Sequence, residues 1–403
     1  MTKSQWEKKI ESLVESNEKE IIEFRRDFHM YPDLSGEEER TSGIVADYLV
    51  KQGIEVQRCQ ENYGVIGRLK GGKPGPVIAL RADMDALPME EKSGLPYASR
   101  IEGRMHSCGH DIHTAVLMGA AAVLASIRED LEGTVIFLFQ PSEEFFPGGA
   151  LGMIEEGAID DPVPDSIFAL HTFPAPTGQI ATVSGPIVGS VSTFSLRIFG
   201  KGGHFSLPHL TVDPIVVASH VVVACNTMIS RRVDPMETAV LTFGMIQGGT
   251  RDNIIGDMVV LRGNIGSLDE ALCASLMAEM EKIVKGITEG MGASYKLKYI
   301  HGYPTAVNDP LNTAYVQKVA ADVLGESNVL PGTPTLGGED MAYFLQKVPG
   351  TFFMLGIHDA ESGELPIANH DPHFAPDEKC IAVGMELMAR LVVDYKATFP
   401  SDE

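Results

Sequence analysis

The densest group of donor side chains in this 403-residue sequence is Met105-His106-Ser107-Cys108-Gly109-His110-Asp111-Ile112-His113. Three imidazoles, a thiol and a carboxylate fall together just before an apolar helical stretch. Thiolate and imidazole bind zinc-like ions well, and a Cys-x-His pair can hold one ion between them. The second Cys pair that a zinc ribbon needs is absent. Taken alone, the segment reads equally as a polar turn with core histidines. Gln140-Pro141-Ser142-Glu143-Glu144 follows a compact apolar run, at the strand end where α/β folds place ligands. Two adjacent carboxylates can divide the work: one ligates a metal, the other takes a proton from water. Alone, they read more readily as solvated acids. His171 follows the apolar run 166–170, and His370 sits among turn formers in Asn369-His370-Asp371-Pro372-His373-Phe374. Arg81-Ala82-Asp83-Met84-Asp85 ends a further apolar run; its acids could hold a ligating imidazole by the second ring nitrogen.

Several candidate ligands at strand ends, with neither a phosphate loop nor a G-x-S-x-G elbow, favour a metal site over a nucleotide or serine site. Gly200-Lys201-Gly202-Gly203-His204 lacks phosphate-loop spacing and reads as a flexible glycine run that presents His204.

The elements that must position these groups follow from periodicity. Helical spacing runs over 5–30 and 37–51, and a long Ala/Leu/Met helix over 114–127. Buried strands are expected at 65–69, 77–80, 134–139 and 166–170, which makes an α/β sheet covered on both faces. From about 185 the pattern changes. Strand 192–199, helix 214–229, strands 239–247 and 258–265, helix 269–287 and strand 295–300 give the β-α-β-β-α-β order of a ferredoxin-like unit. Segments 309–324, 339–347, 351–357 and 377–397 then resume the alternation, so an insertion into the first domain fits better than domains in series.

Motifs in a fixed order span nearly the whole chain. They are Arg25-Arg26-Asp27-Phe28-His29 with Pro32 and Glu38, the segment from Arg81 to Pro88, and the cluster from Met105 to His113. Gln140 to Glu144, the glycine run with Pro208-His209, Gly338-Glu339-Asp340, and His370 to Phe374 complete the set. With them the sequence resembles the di-metal aminoacylase and carboxypeptidase superfamily, most closely its N-acyl-amino-acid amidohydrolase branch. That branch includes hippurate hydrolases and indole-acetyl-amino-acid hydrolases.

The resemblance implies a catalytic α/β domain with a central mixed sheet, residues 1–185 and 304–403. Residues 186–303 would form an inserted ferredoxin-like lid and dimerisation domain. It also implies two divalent ions, zinc or manganese, with cobalt or nickel as alternatives. Their ligands would be Cys108, His110, Glu144, His171 and His370. Glu143 would be the general base and Asp83 an orienting acid. His204 would reach from a lid, its own or a partner's, to the oxyanion, and Asn253 would contact substrate. The implied reaction is hydrolysis of small N-acyl amino acids or related amides by an activated water. A carboxypeptidase or dipeptidase with the same site is the alternative. A catalytically silent ligand-binding relative is disfavoured by the complete ligand set. One departure stands out. Where the family's lid strand usually ends Gly-Thr-x-Arg, this sequence reads Gly263-Asn264-Ile265-Gly266. Losing that guanidinium should weaken selection of a substrate carboxylate, unless Arg251 or Arg262 compensates. His204-Phe205-Ser206-Leu207 is also bulkier than usual for the family and implies an altered pocket wall.

Composition narrows the partners. With 55 Asp+Glu against 32 Lys+Arg the formal charge is −23, which argues against nucleic acid and anionic membranes. Five widely spaced cysteines are no disulfide framework and fit a reducing compartment, so a cytoplasmic location is expected. No signal-peptide pattern and no run of about 18 apolar residues is visible, so no membrane span is expected. Exposed lid edges favour a homodimer.

Overall fold

The computed structural model describes residues 3–395; the end of the helix expected over 377–397 lies outside the described residues. The chain divides into two compact units. One takes the residues up to Ile187, Val307–Thr333 and those from Asp340 onward; the other takes Val188–Ala306 and Pro334–Glu339. The return of 334–339 to the second unit goes beyond the expected 186–303. Its cause is local: the Gly189 N–H donates to the Thr335 carbonyl at 2.8 Å.

The first unit is built on an eight-stranded mixed sheet. Its spatial order is Glu55–Arg58, Val65–Lys70, Glu132–Gln140, Lys73–Asp83, Ser166–Pro176, Gly350–His358, Ile180–Thr182 and Val329–Pro331. The four strands from Glu132–Gln140 to Gly350–His358 are parallel, so their carboxyl ends share one edge. Helices Lys3–Met30, His110–Ser126 and Lys379–Val393 bury their apolar residues in one common core. His110–Ser126 is apolar on every side and accordingly buried through Leu124. It approaches Lys379–Val393 so closely that a Cβ on Gly119 would stand 2.6 Å from Met385 Sδ.

Two elements differ from expectation where the site lies. The helix expected from 114 begins at His110, because the Ile112 and His113 N–H groups donate to the Gly109 carbonyl at 2.9 and 3.0 Å. The strand expected to stop at 170 runs to Pro176. Its pairing with Lys73–Asp83 ends at Ala169, whereas its pairing with Gly350–His358 continues to Pro176. His171 therefore lies within a strand, just past the point where pairing with one neighbour ends.

The second unit has the ferredoxin-like arrangement. Its antiparallel sheet runs Ala239–Gly248, Met258–Ser267, Ser190–Phe199, Ser294–His301, with helices Pro214–Arg232 and Glu270–Gly290 packed on it. Asp213 and Asp269 cap those helices by accepting from Ile215 N and Ala271 N at 2.9 and 2.7 Å. Helix Pro214–Arg232 is long and apolar enough to cross a membrane by length and composition alone. In this fold one face of it packs on the sheet, burying the stripe Val217, Ala218, Val221, Cys225 and Met228, while Val216 and Val223 are exposed.

Candidate metal centre

The parallel strands deliver the site at their carboxyl edge. Asp83 ends one strand, Glu143 and Glu144 follow the next, and His171 lies on the third. Cys108 and His110 flank Gly109, whose φ of +89° turns the chain into the helix. A Cβ there would sit 2.3 Å from Thr172 Oγ1, so only glycine fits. Two further positive-φ residues shape the site: Ser142 at 58° and His370 at 66°. Ser142 is held by Glu38, whose Oε1 accepts from its N–H at 2.8 Å; the His370 N–H donates to the Ser107 carbonyl at 2.8 Å.

All five expected ligands converge. Donor atoms of Cys108, His110 and His171 lie within 4.8 Å of one another, as do those of Cys108, Glu144 and His370. Cys108 belongs to both trios. Glu143, buried, joins His110 and Glu144 in a third such group. His171 Nδ1 donates to the Thr172 carbonyl at 2.8 Å, which leaves Nε2 facing Cys108 Sγ at 3.4 Å. His110 Nδ1 donates to Asp85 Oδ1 at 3.2 Å. Its buried Nε2 has no hydrogen-bond partner and stands 4.0 Å from Glu144 Oε1, which in turn is 3.1 Å from His370 Nε2. A sulfur, three imidazole nitrogens and a carboxylate with such an orphaned nitrogen fit one or more soft-to-borderline divalent cations.

Electrostatics point the same way. Burial opposes ionisation of the Cys108 thiol, yet His171 and His110 bring its pKa well below the usual thiol value. Burial would lower His171, but the Cys108 thiolate lifts it to about 9. Hydrogen bonds to Cys108 and Glu144 lift His370 to about 10.

Asp83 is deeply buried, but it is Asp85 that bonds His110. Asp83 Oδ1 lies 3.8 Å from His110 Nδ1 and 2.6 Å from His113 Nδ1. Its other oxygen accepts from Arg81 at 2.8 Å. Below the helix start, Arg25 and His29 share Asp111 at 2.8 and 2.7 Å. Asn369 is a member that the sequence reading missed. Its Nδ2 donates to the carbonyls of Cys108 and Thr172 at 3.0 and 3.2 Å. A long-range amide clamp of this kind leaves no spacing signal, although adjacency to His370 marks the segment.

His204 and Asn253 belong to the second unit, on a ribbon where Gly203–His204 pairs with Ile254–Ile255. The Phe205 N–H donates to the Asn253 carbonyl at 3.3 Å, and His204 Nδ1 bonds Ser206 Oγ at 2.8 Å. The structure thus brings these two together, on an exposed surface.

Comparison with known proteins agrees with the geometry. The profile of peptidase family M20/M25/M40 matches residues 79–394. A thermostable carboxypeptidase of Saccharolobus solfataricus is 39% identical over 394 residues, 96% of this chain and 98% of that protein. An N-acetyl-L-cysteine deacetylase of Bacillus subtilis is 38% identical over 365 residues, 90% of this chain and 85% of that protein. Among solved structures, a dinuclear metal-binding peptidase of Bacillus subtilis is 32% identical, with a TM-score of 0.81 over 95% of this chain and 99% of that one. This chain belongs to peptidase family M20/M25/M40 and is a metal-dependent hydrolase.

Proposed function

We propose that the chain cleaves the amide bond of small N-acyl amino acids or related amides, with two divalent ions held by Cys108, His110, Glu144, His171 and His370. The observation that carries this reading is the pair of donor trios meeting at Cys108, with a second carboxylate, Glu143, against His110 and Glu144. Thiolate and imidazole donors suit zinc, with manganese as the alternative. When bound, the ions make water more acidic and stabilise charge on the carbonyl oxygen. Glu143 takes the proton of the attacking water and returns it to the nitrogen of the leaving amine. His204, from this chain's lid or a partner's, is the candidate donor to the developing oxyanion, and Asn253 the candidate substrate contact. Asp83 acts behind the ligands as an orienting acid. Glu143→Ala should keep the metal content and lower kcat by about 10²–10⁴-fold. Unchanged hydrolysis of N-acyl amino acids would remove Glu143 from this role.

A carboxypeptidase is the second reading, favoured by the 39% identity to the protein of that name. The acyl side distinguishes the two, a simple acyl group against a peptidyl one, because both release an amino acid; the amine side raises a separate question. Gly266 has room for a side chain, since an added Cβ meets nothing closer than 3.4 Å, but it supplies no guanidinium. The substrate's amine half then lacks a free α-carboxylate, or Arg251 or Arg262 holds it. Comparing kcat/KM for an N-acyl amino acid and its carboxamide decides: a strong preference for the free acid sinks the first alternative. A homodimer through the lid and a cytoplasmic location complete the reading. Light scattering on the purified chain tests the former; the five unpaired, buried cysteines support the latter.

A further inference from the structure

His113 closes the same donor-rich segment as Cys108 and His110, yet both of its ring nitrogens are already engaged. The Thr172 backbone N–H donates to His113 Nε2 at 2.9 Å. A neutral imidazole that accepts at one nitrogen carries its proton on the other. That proton is on Nδ1 and is donated to Asp83 Oδ1 at 2.6 Å. Thr172 in turn ties two ligand-bearing segments together. Its Oγ1 donates to the Cys108 carbonyl at 2.8 Å, and its own carbonyl accepts from His171 Nδ1 at 2.8 Å. Arg81, donating to Asp83 at 2.8 Å, fixes the far end of the chain of bonds.

We propose that His113 and Thr172 are positioning residues. Together they hold Cys108 Sγ and His171 Nε2 in ligating register before an ion arrives, and His113 is not itself a ligand. This rests on the reading of Cys108 and His171 as metal ligands. The competing arrangement is a separate cluster of Asp83, His110 and His113, whose donor atoms also lie within 4.8 Å of one another. For His113 to ligate through Nε2 it would have to release the N–H of buried Thr172, a costly loss. Ligating through Nδ1 would strip Asp83 of its imidazole.

The test compares four cobalt-reconstituted proteins: wild type, His113→Leu, Thr172→Val and Thr172→Ser. Ion stoichiometry, affinity by chelator competition, the thiolate-to-cobalt absorption band and Tm are read for each. All four should bind two ions per chain. Affinity in His113→Leu and Thr172→Val should fall by about 10–100-fold, with the thiolate band weakened. Thr172→Ser, which keeps the hydroxyl, should behave as wild type. At saturating metal, kcat should fall while KM stays within about two-fold.

Loss of one ion from His113→Leu would make His113 a ligand and overturn the proposal. Wild-type affinity and band in His113→Leu and Thr172→Val, with only Tm lowered, would overturn it by leaving a packing role. Should His113→Leu fail to fold, the Thr172→Val and Thr172→Ser pair decides by the same readouts. Failure of the wild type to bind stoichiometric metal is a different result: it refutes the metal centre itself.

Discussion

Proton and metal compete for the same nitrogen at His171. Its pKa of about 9, raised by the Cys108 thiolate against the effect of burial, keeps Nε2 protonated at neutral pH in the metal-free chain. An incoming ion must displace that proton. Apparent zinc affinity should therefore fall as pH drops below about 9, and it should level off only above about 10, where His370 has lost its proton as well. Calorimetry in buffers of different ionisation enthalpy measures the protons released; a pH-independent affinity would contradict the assignment. Cys108→Ser should cost more than loss of any other single ligand, because both trios contain Cys108. The candidate donors were legible in the sequence as a Cys-x-His pair and a Glu-Glu pair, and the family resemblance singled out Cys108, His110, Glu144, His171 and His370 among them. Their supports were not. Asn369 reaches Cys108 across 261 residues, and Thr172 is an unremarkable threonine until the fold sets it beside Gly109. The roles of Asp83 and Asp85 also needed coordinates, because two acids on one strand end look alike until the imidazoles face them.

Helix starts and strand ends carry the precision of this centre. Gly109→Ala would force φ of +89° on a residue with a Cβ, at a cost of about 1–2 kcal/mol before the collision with Thr172 Oγ1 is counted. Lower Tm together with lower metal content should result, with metal analysis and calorimetry as the check. Gly119→Val should drive a side chain into Met385 and cost about 1–3 kcal/mol while leaving metal affinity nearly unchanged. The contrast separates a glycine that serves the site from one that serves helix packing. Periodicity located both helices but placed the first start four residues late. His110 and His113 are polar residues that tertiary contacts bury, so the apolar pattern begins after them. The strand through His171 was cut short for the same reason: polar His171 and Thr172 end the apolar run without ending the sheet.

All five candidate ligands lie in one of the two units. Chelation should lower the melting transition of that unit and leave the transition of the other where it is. At a free ion concentration of 1,000 Kd, one bound ion contributes about 4 kcal/mol. Two calorimetric transitions that shift equally on chelation would contradict this. The ferredoxin-like unit was legible as a whole because alternating strands and capped helices repeat in one short stretch. The return of residues 334–339 to it was not legible, since it depends on a pairing to Gly189 from the far side of the insertion. The order of residues along the chain has a further consequence during synthesis. Cys108, His110 and His171 are all synthesised before the second unit is begun, whereas His370 is added only after that unit has been made. A nascent chain thus offers one complete donor trio while the other still lacks a member, so biosynthesis itself sets the order in which the two halves of the centre become available.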